Sequence, residues 1–506
     1  MSETTATATA SDRYDALIVV AGPAGLEAAV TLAQHGLRVA VLDEQIAPGG
    51  QIYRAVEASP LPRRAILGED YWHGQGLVQR FRDSGVPLIS QATVWQIDRL
   101  GEQGVRVAVS VAGVSRLLFA AQVLLATGAQ ERPVAVPGWT RPGVMTVGAA
   151  QVLLKTTGAV PSGATSGATS GATSEATSGA TVLAGCGPLL WLYAAQVLRA
   201  GGRIEALLDT TPASQQWRAL RHIGGFVRSA YLSKGWSLIA EVKRSIKVIR
   251  NVKTFAAAAG TDDASSPNGA LAAVDYTLRD GSSGRIAADT LLLHQGVVPN
   301  INLSNALGCA HEWNAVQCCW QPVLDSWGQS SHADVFIAGD GGGIGGARAA
   351  QAQGKLAALQ MAARARAVSE AARDDAARVA RHDLQRALRG RSFFEALYRP
   401  ADEMRIPSGD TIVCRCEEVT AQQVRDAARI GCKGPNQLKA FLRCGMGPCQ
   451  GRLCGLSVGE ILAHETGQSM QAVGYYTLRF PTKPLTLAEI AALPATEAGE
   501  AAVVTA

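Results

Sequence analysis

The sequence predicts an α/β fold in which two parallel-sheet mononucleotide-binding units, one inserted in the other, precede a small, mostly helical module rich in cysteine. Three observations carry this prediction. The order strand, glycine turn, helix, strand occurs at 14–44 and recurs from Thr181. A third apolar strand at 334–340 ends in acid and runs into G-G-G-I-G-G. Four of the chain's ten cysteines, Cys414, Cys416, Cys449 and Cys454, form a spaced set near the C-terminus.

The elements follow in order. Ala16–Ala21 is a continuous apolar run, as a strand buried on both faces requires. Gly22–Gly25 turns the chain, Leu26–His35 is helical, and Gly36 ends the helix. Leu37–Leu42 is a second buried strand that ends in Asp43 and Glu44. An apolar run at 122–128 also ends in glycine, and Pro133, Pro137, Gly138 and Pro142 then mark a crossover. The second unit starts at Thr181, turns at G-C-G-P (185–188), continues as a helix to Arg199, and ends with a strand Arg203–Leu208 before Asp209. A four-residue repeat at 162–181 has nothing to bury and reads as a flexible surface loop. Residues 259–288 read as hairpin loops at a sheet edge, and 362–390 as an exposed helical connector. The tail, PTKPLTLAEIAALP, is expected to pack back on a neighbour.

Composition narrows the class. At 506 residues and 47% hydrophobic, the chain has the apolar surface to bury several cores, which excludes disorder as a whole. A net charge of +5 scattered along the chain argues against nucleic acid as a partner. The first residues have neither a basic start nor an apolar stretch. The uncharged run 181–198 is broken by G-C-G-P, so neither segment reads as a signal or a membrane span. The expectation is a cytoplasmic protein that is not integral to a membrane. In that compartment, clustered cysteines hold metal or do redox chemistry rather than form structural disulfides. Cys186, Cys309 and Cys432 stand alone and read as small buried hydrophobes; vicinal Cys318-Cys319 lacks the spacing of a redox pair.

Four motifs carry chemistry. V-A-G-P-A-G (20–25) matches the dinucleotide fingerprint at Gly22 and Gly25, with Val20 in place of its first glycine. Gly22 lets backbone amides approach a pyrophosphate, Gly25 lets helix pack on strand, and Asp43 sits about 20 residues on, where an acid bonds ribose. A-G-D (338–340) places Gly339 and Asp340 where a carboxylate can meet ribityl hydroxyls; the plain alternative is a helix-capping aspartate. With G-G-Q (49–51), these favour a flavin. G-C-G-P-L-L (185–190) keeps Gly185 and Gly187 and is followed by Asp209, but Leu190 crowds the third position, so NAD(P) binding there stays a weak alternative to a structural role. Finally, Cys414-Arg-Cys416 is separated by 32 residues from Cys449-x4-Cys454. Four thiolates suit tetrahedral zinc or an iron–sulfur cluster. Thr420 and Gln423 predict a capping box, a helix near Gln450 is expected to point its positive end at the site, and Cys444 reads as a spare thiol.

These motifs carry a resemblance. Residues up to about 360 resemble flavoproteins with two Rossmann-like dinucleotide-binding domains, through G-P-A-G-L-E-A-A (22–29), V-L-D-E (41–44), P-G-G-Q-I-Y-R (48–54), L-L-A-T-G-A-Q-E-R-P (124–133) and A-G-D-G (338–341). Residues 411–466 resemble the [2Fe–2S] module of bacterioferritin-associated ferredoxins, through C-R-C-E-E-V-T and G-M-G-P-C-Q-G-R-L-C. With G-C-G-P-L-L-W-L (185–192) and H-Q-G-V-V-P-N (294–300), the whole chain is similar to the α (A) subunits of opine oxidases, to hydrogen cyanide synthase B subunits and to hydroxyproline dehydrogenase α subunits.

The resemblance implies an FAD- and [2Fe–2S]-containing electron-transfer subunit of a heteromeric amine or amino-acid dehydrogenase or oxidase. The amine-oxidising partner would be a separate flavoprotein β subunit, with a further small ferredoxin-like subunit or other electron acceptor. It maps cofactor contacts to Gly22, Pro23, Gly25, Asp43, Glu44, Gly50, Gln51, Gly128, Gly339 and Asp340, and metal ligands to Cys414, Cys416, Cys449 and Cys454. It implies a first FAD-binding part at 13–130, a second nucleotide-binding-like domain at 131–300, the returning FAD-binding part at 301–362, a connector at 363–410, the iron–sulfur module at 411–467 and a tail at 468–506. Two alternatives stay open: a stand-alone NAD(P)H-dependent flavin oxidoreductase, and a non-catalytic stabilising subunit with zinc in the cysteine site.

Overall fold

A computed structural model describes residues 12–62, 64–161, 180–229, 231–260 and 269–493. The small-residue repeat therefore lies, but for its last two residues, outside the described chain.

The first sheet is built around Arg13–Val19, whose last four residues are buried. It pairs in parallel with Val39–Leu42 on one side and Val114–Leu125 on the other. Leu88–Ile89 extends the first edge; the antiparallel strands Val105–Val111 and Ala92–Arg99 extend the second. The chain leaves this sheet after Leu125 and returns only at Val335–Ile337, which pairs in parallel with Val123–Leu125. That late return embeds the second unit in the first.

The second sheet has the order Lys247–Ile249, Ala206–Asp209, Thr181–Cys186, Thr290–Gln295, Val144–Thr146, all parallel. The strand expected from Arg203 begins at Ala206 instead, where pairing with Val182 starts; Arg203 and Glu205 form an exposed ion pair outside the sheet. A three-stranded antiparallel sheet, Val252–Ala259, Leu271–Leu278 and Ser283–Ala287, covers this unit. Two short antiparallel strands, Ala129–Glu131 and Val297–Pro299, cross between the units. Beside them His294 Nδ1 lies 2.7 Å from Glu131 Oε1.

Helix Glu370–Leu388 has the exposed face its charge pattern predicts, but its other face buries Ala377 and Ala380 and half-buries Ala376 and Leu384 against helix Ala347–Arg364, with Arg373 and Arg381 over the Trp327 ring. The segment after it behaves differently. Phe393 stacks on Phe226 at 4.2 Å between ring centres, and Gln215 Nε2 donates to the Arg399 carbonyl at 2.7 Å. Residues 390–399 thus lie against the helices Ala213–Leu220 and Ile223–Val227 of the second unit.

The cysteine module follows. Ile412–Cys414 pairs with Val419–Thr420, and helix Ala421–Arg429 opens on the Thr420/Gln423 capping box. The helix expected near Gln450 begins instead at Gly455, with Cys454 at its cap. Gln450 (φ +49°) and Gly451 (φ +77°) are left-handed, which no continuous right-handed helix accommodates. The tail packs back on the first sheet, where Thr482 N–H donates to the Trp95 carbonyl. Among the described residues, no helix is long and apolar enough to cross a membrane.

Candidate redox site

The first site lies at the carboxyl end of the first sheet. Helix Pro23–Gln34 starts at Gly22 with no side-chain cap, and Pro23 at its first position has no amide hydrogen to satisfy. Such an uncapped N-terminus suits an anion. A Cβ on Gly25 would lie 2.2 Å from the Val20 carbonyl oxygen, so only glycine permits this helix–strand contact. The missing first glycine leaves its mark in the backbone: Val20 stands at φ +82°, a conformation costing a β-branched residue on the order of 1–2 kcal/mol. The turn is nevertheless retained. Asp43, 3% exposed, accepts from the Ala21 amide at 2.6 Å and from the Gln45 amide at 2.8 Å. Burial pushes its carboxyl above the ordinary range, against those two amides and the charge of Arg54.

The two acids after the second strand therefore differ. Asp43 clamps the loop, whereas the exposed Glu44 pairs with Lys483 of the tail at 2.8 Å. Gly50 closes on the same place, since a Cβ there would lie 2.8 Å from Gly22 Cα. Arg54 joins the carboxamides of Gln45 and Gln51. Gly128, at φ +64°, has open space where a Cβ would stand. Gly339, at φ +77°, lets Asp340 turn back, and Asp340 Oδ1 accepts from the Gly345 and Gly346 amides, each at 2.8 Å. Gly22, Gly50, Gly339 and Asp340 thus belong to loops brought together around Ala24, whose Cβ would be 3.1 Å from one on Gly339.

The cysteines form two sets. The sulfur atoms of Cys414, Cys444 and Cys454 all lie within 4.8 Å of one another and are buried. Cys416 and Cys449 are half-buried, and their thiols are hydrogen-bonded to each other. Thiol donors Cys444 and Cys454, joined by the amides of Gly445 and Glu417, hold Cys414 down at about 2. Cys444, expected as a bystander, is thus part of the inner set. The glycines of 445–455 are required by packing: a Cβ on Gly445 or Gly451 would lie 2.5 or 2.6 Å from Tyr476, and one on Gly447 would lie 2.3 Å from Cys416 Cβ. Nothing in the sequence marks Tyr475 and Tyr476 for this role, because they are ordinary aromatics beyond the motif.

This module docks on the first site. Gln130 Nε2 donates to the Arg452 carbonyl at 3.0 Å, and Asn302 Nδ2 to the Gln450 carbonyl at 3.3 Å. Arg452 feels the charges of both Cys449 and Glu44. The thiols and the glycine loops therefore share one end of one sheet.

The third motif fares differently. A Cβ on Gly185 would lie 1.7 Å from the His294 carbonyl oxygen and one on Gly187 3.0 Å from His294 Nε2, so both glycines serve internal contacts. Leu190 is fully buried in the core. Asp209 is buried, caps Thr211 N–H at 2.9 Å, and is pushed above its ordinary range by that burial. Over them lies the connector: the Tyr398 carbonyl accepts from the Cys186 thiol at 3.6 Å, and the half-buried Tyr398 side chain feels Asp209 and Cys186.

Comparison with known proteins agrees with this geometry. Residues 14–162 and 242–354 match the pyridine nucleotide-disulphide oxidoreductase family, and residues 408–494 match the sarcosine oxidase A3 domain. The α (A) subunit of opine oxidase from Agrobacterium tumefaciens (strain Ach5) is 46% identical over 492 residues, covering 96% of this chain and 93% of that one. The chain belongs to the family of opine oxidase α (A) subunits. Within this oxidoreductase family, the corresponding opine oxidase chain of Rhizobium meliloti is 44% identical over 96% of this chain and 90% of its own. Hydrogen cyanide synthase subunit HcnB of Pseudomonas protegens is 29% identical over 93% and 96%. The L-proline dehydrogenase from P. horikoshii shares the fold, with a TM-score of 0.63 at 18% identity over 94% of this chain and 78% of that chain.

Two side chains near the first site make testable predictions. Replacing Val20 with glycine relieves the left-handed strain, so Val20→Gly is expected to unfold at the same temperature as the wild type or higher; a loss beyond about 1 kcal/mol would count against the strain. Lys155, buried at the end of helix Val147–Thr157, donates to the carbonyls of Gln51 and Ile52 at 3.1 and 3.0 Å. Burial, aided by Arg54, pushes it down to about 7. Between pH 7 and the unfolded value near 10.4, the unfolded chain binds more protons, so stability rises with pH across that window. Denaturant unfolding should show wild type gaining roughly 1 kcal/mol per pH unit relative to Lys155→Met across that window. A difference independent of pH would sink the assignment.

Proposed function

We propose that this chain is the electron-relay subunit of a heteromeric oxidase or dehydrogenase acting on opines or related secondary amines and amino acids. FAD would be held by Gly22, Pro23, Gly25, Asp43, Glu44, Gly50, Gln51, Gly128, Gly339 and Asp340, and a [2Fe–2S] cluster by Cys414, Cys416, Cys449 and Cys454. The observation that carries the reading is the docking of the thiol sets, through Arg452, on the end of the sheet where the glycine loops meet.

The residues present suit both groups. The uncapped helix start and the glycine approaches fit a pyrophosphate. The cysteines divide into an inner pair, Cys414 and Cys454, and an outer pair, Cys416 and Cys449, which matches two irons with two thiolates each. A flavin beside a [2Fe–2S] centre converts a two-electron oxidation into single-electron transfers. The chain's own residues set the conditions. Asp43 fixes the loop at the helix start, Arg54 and Lys155 hold the loop of Gln51, and Tyr476 closes the inner thiols from water. The relatives' names, opine oxidase and hydrogen cyanide synthase subunits, support the amine donor and the heteromer.

The donor enters through a partner rather than NAD(P)H, because the connector around Tyr398 covers Asp209 and Cys186. A partner face is also available. Residues 213–253 carry nine Lys and Arg against the single acid Glu241, a local excess larger than the net charge of the whole chain. Trp217 (75% exposed) and Trp236 (79%) stand out from this stretch. Exposed Trp among Arg is the composition of an interface centre. The flavoprotein β subunit is expected to cover it with an acidic-rimmed apolar face.

The decisive measurement is the absorption spectrum of the purified chain, with flavin, iron, acid-labile sulfide and zinc quantified. Flavin bands with two irons and two sulfides per chain are expected; a colourless chain with one zinc would overturn the relay in favour of the stabilising role. Anaerobic NADH or NADPH should leave the flavin oxidised, and rapid bleaching would restore the stand-alone reductase. The double variant Trp217→Ala/Trp236→Ala should lose the co-purifying β subunit while keeping wild-type thermal stability. Undiminished co-purification would move the interface elsewhere.

A further inference from the structure

The geometry points to Cys444 as a reserve ligand for the inner of two iron positions. This rests on the [2Fe–2S] reading of the cysteine site. The sulfurs of Cys414, Cys444 and Cys454 are mutually within 4.8 Å, so the third thiol reaches the point that the other two share. Cys444 is fully buried there. It follows directly on Arg443 (φ +56°), the left-handed cap that ends helix Pro435–Leu442, and precedes Gly445 at φ +88°. Tyr476 presses on that turn, 2.5 Å from where a Gly445 Cβ would stand.

The outer pair is different. Cys416 and Cys449 are half-exposed, and among the described residues no third Cys, His or acidic ligand atom joins them within that distance. The site therefore has five thiols for four ligand positions, with the redundancy confined to its buried side. When an inner thiolate is lost, Cys444 gives up its thiol proton to water and forms one iron–sulfur bond in place of the one removed. No electron is gained or lost in that exchange.

The test measures iron and acid-labile sulfide per chain, with the visible spectrum, in the full-length protein. Cys454→Ala should retain at least half of the wild-type iron and sulfide with shifted absorption bands. Cys449→Ala and Cys416→Ala should lose most of both. The double variant Cys444→Ala/Cys454→Ala should lose the cluster as fully as Cys449→Ala, whereas Cys444→Ala alone should keep two irons. If Cys454→Ala does not fold by circular dichroism, Cys414→Ala provides the same comparison. The inference fails if the inner variants lose iron as completely as the outer ones while folded, or if removing Cys444 makes no difference to Cys454→Ala. Wild-type protein with zinc and no sulfide would instead overturn the cluster reading itself.

Discussion

Helix Pro23–Gln34 is gripped from two sides by backbone, and the positions of both candidate redox sites depend on that grip. On one side Gly25 lets the helix settle on the Val20 carbonyl; on the other Gly354 lets helix Ala347–Arg364 press on the Ala24 carbonyl, 2.2 Å from where a Cβ would stand. Any larger residue at either place would have to push two elements apart, because neither neighbour is a flexible side-chain end. The grip has a consequence at the sheet end. The Gly22 turn, the Gly50 loop and the Gly339–Asp340 turn all approach Ala24 or its neighbours, so fixing the helix fixes the three loops together.

The same constraint explains how the turn survives without its first glycine. Val20 keeps the left-handed conformation although its side chain disfavours it. The carboxylate of Asp43, held by two amides in a buried position, supplies the opposing force. Asp43 holds the loop from the inside, while Glu44 faces outward beside Lys483 and Arg452.

The fold is largely legible because buried parallel strands are written as uninterrupted apolar runs, and glycines at their ends mark turns that other residues resist. The late return of Val335–Ile337 to the first sheet follows from its A-G-D ending. Legibility fails where a contact joins residues far apart. Nothing local in R-S-F-F-E-A-L-Y announces that Phe393 stacks on Phe226, or that Tyr398 covers Asp209. The charge pattern of helix Glu370–Leu388 just before them suggests an exposed connector, and it says nothing of the aromatics that follow. The glycines of 445–455 suggest amide–sulfur approach, whereas Tyr475 and Tyr476 press on several of them. Cys444 reads as spare because spacing motifs describe pairs, and nothing local shows that the fold brings it to Cys414 and Cys454.

The division of the thiols also gives the proposed relay a direction. Cys414 and Cys454 lie on the buried side, closed by Tyr476, while Cys416 and Cys449 reach the surface. A redox centre buried on one side and open on the other exchanges electrons with an external partner at its open side, where approach is closest. Charge next to that opening faces solvent, so its effect on an approaching partner falls as salt rises. Arg443 and Glu417, paired at 3.1 Å, stand at the cysteine module's surface. With Arg443 also setting the turn that delivers Cys444, the surface where an acceptor would dock and the buried reserve thiol are joined by a single residue of backbone.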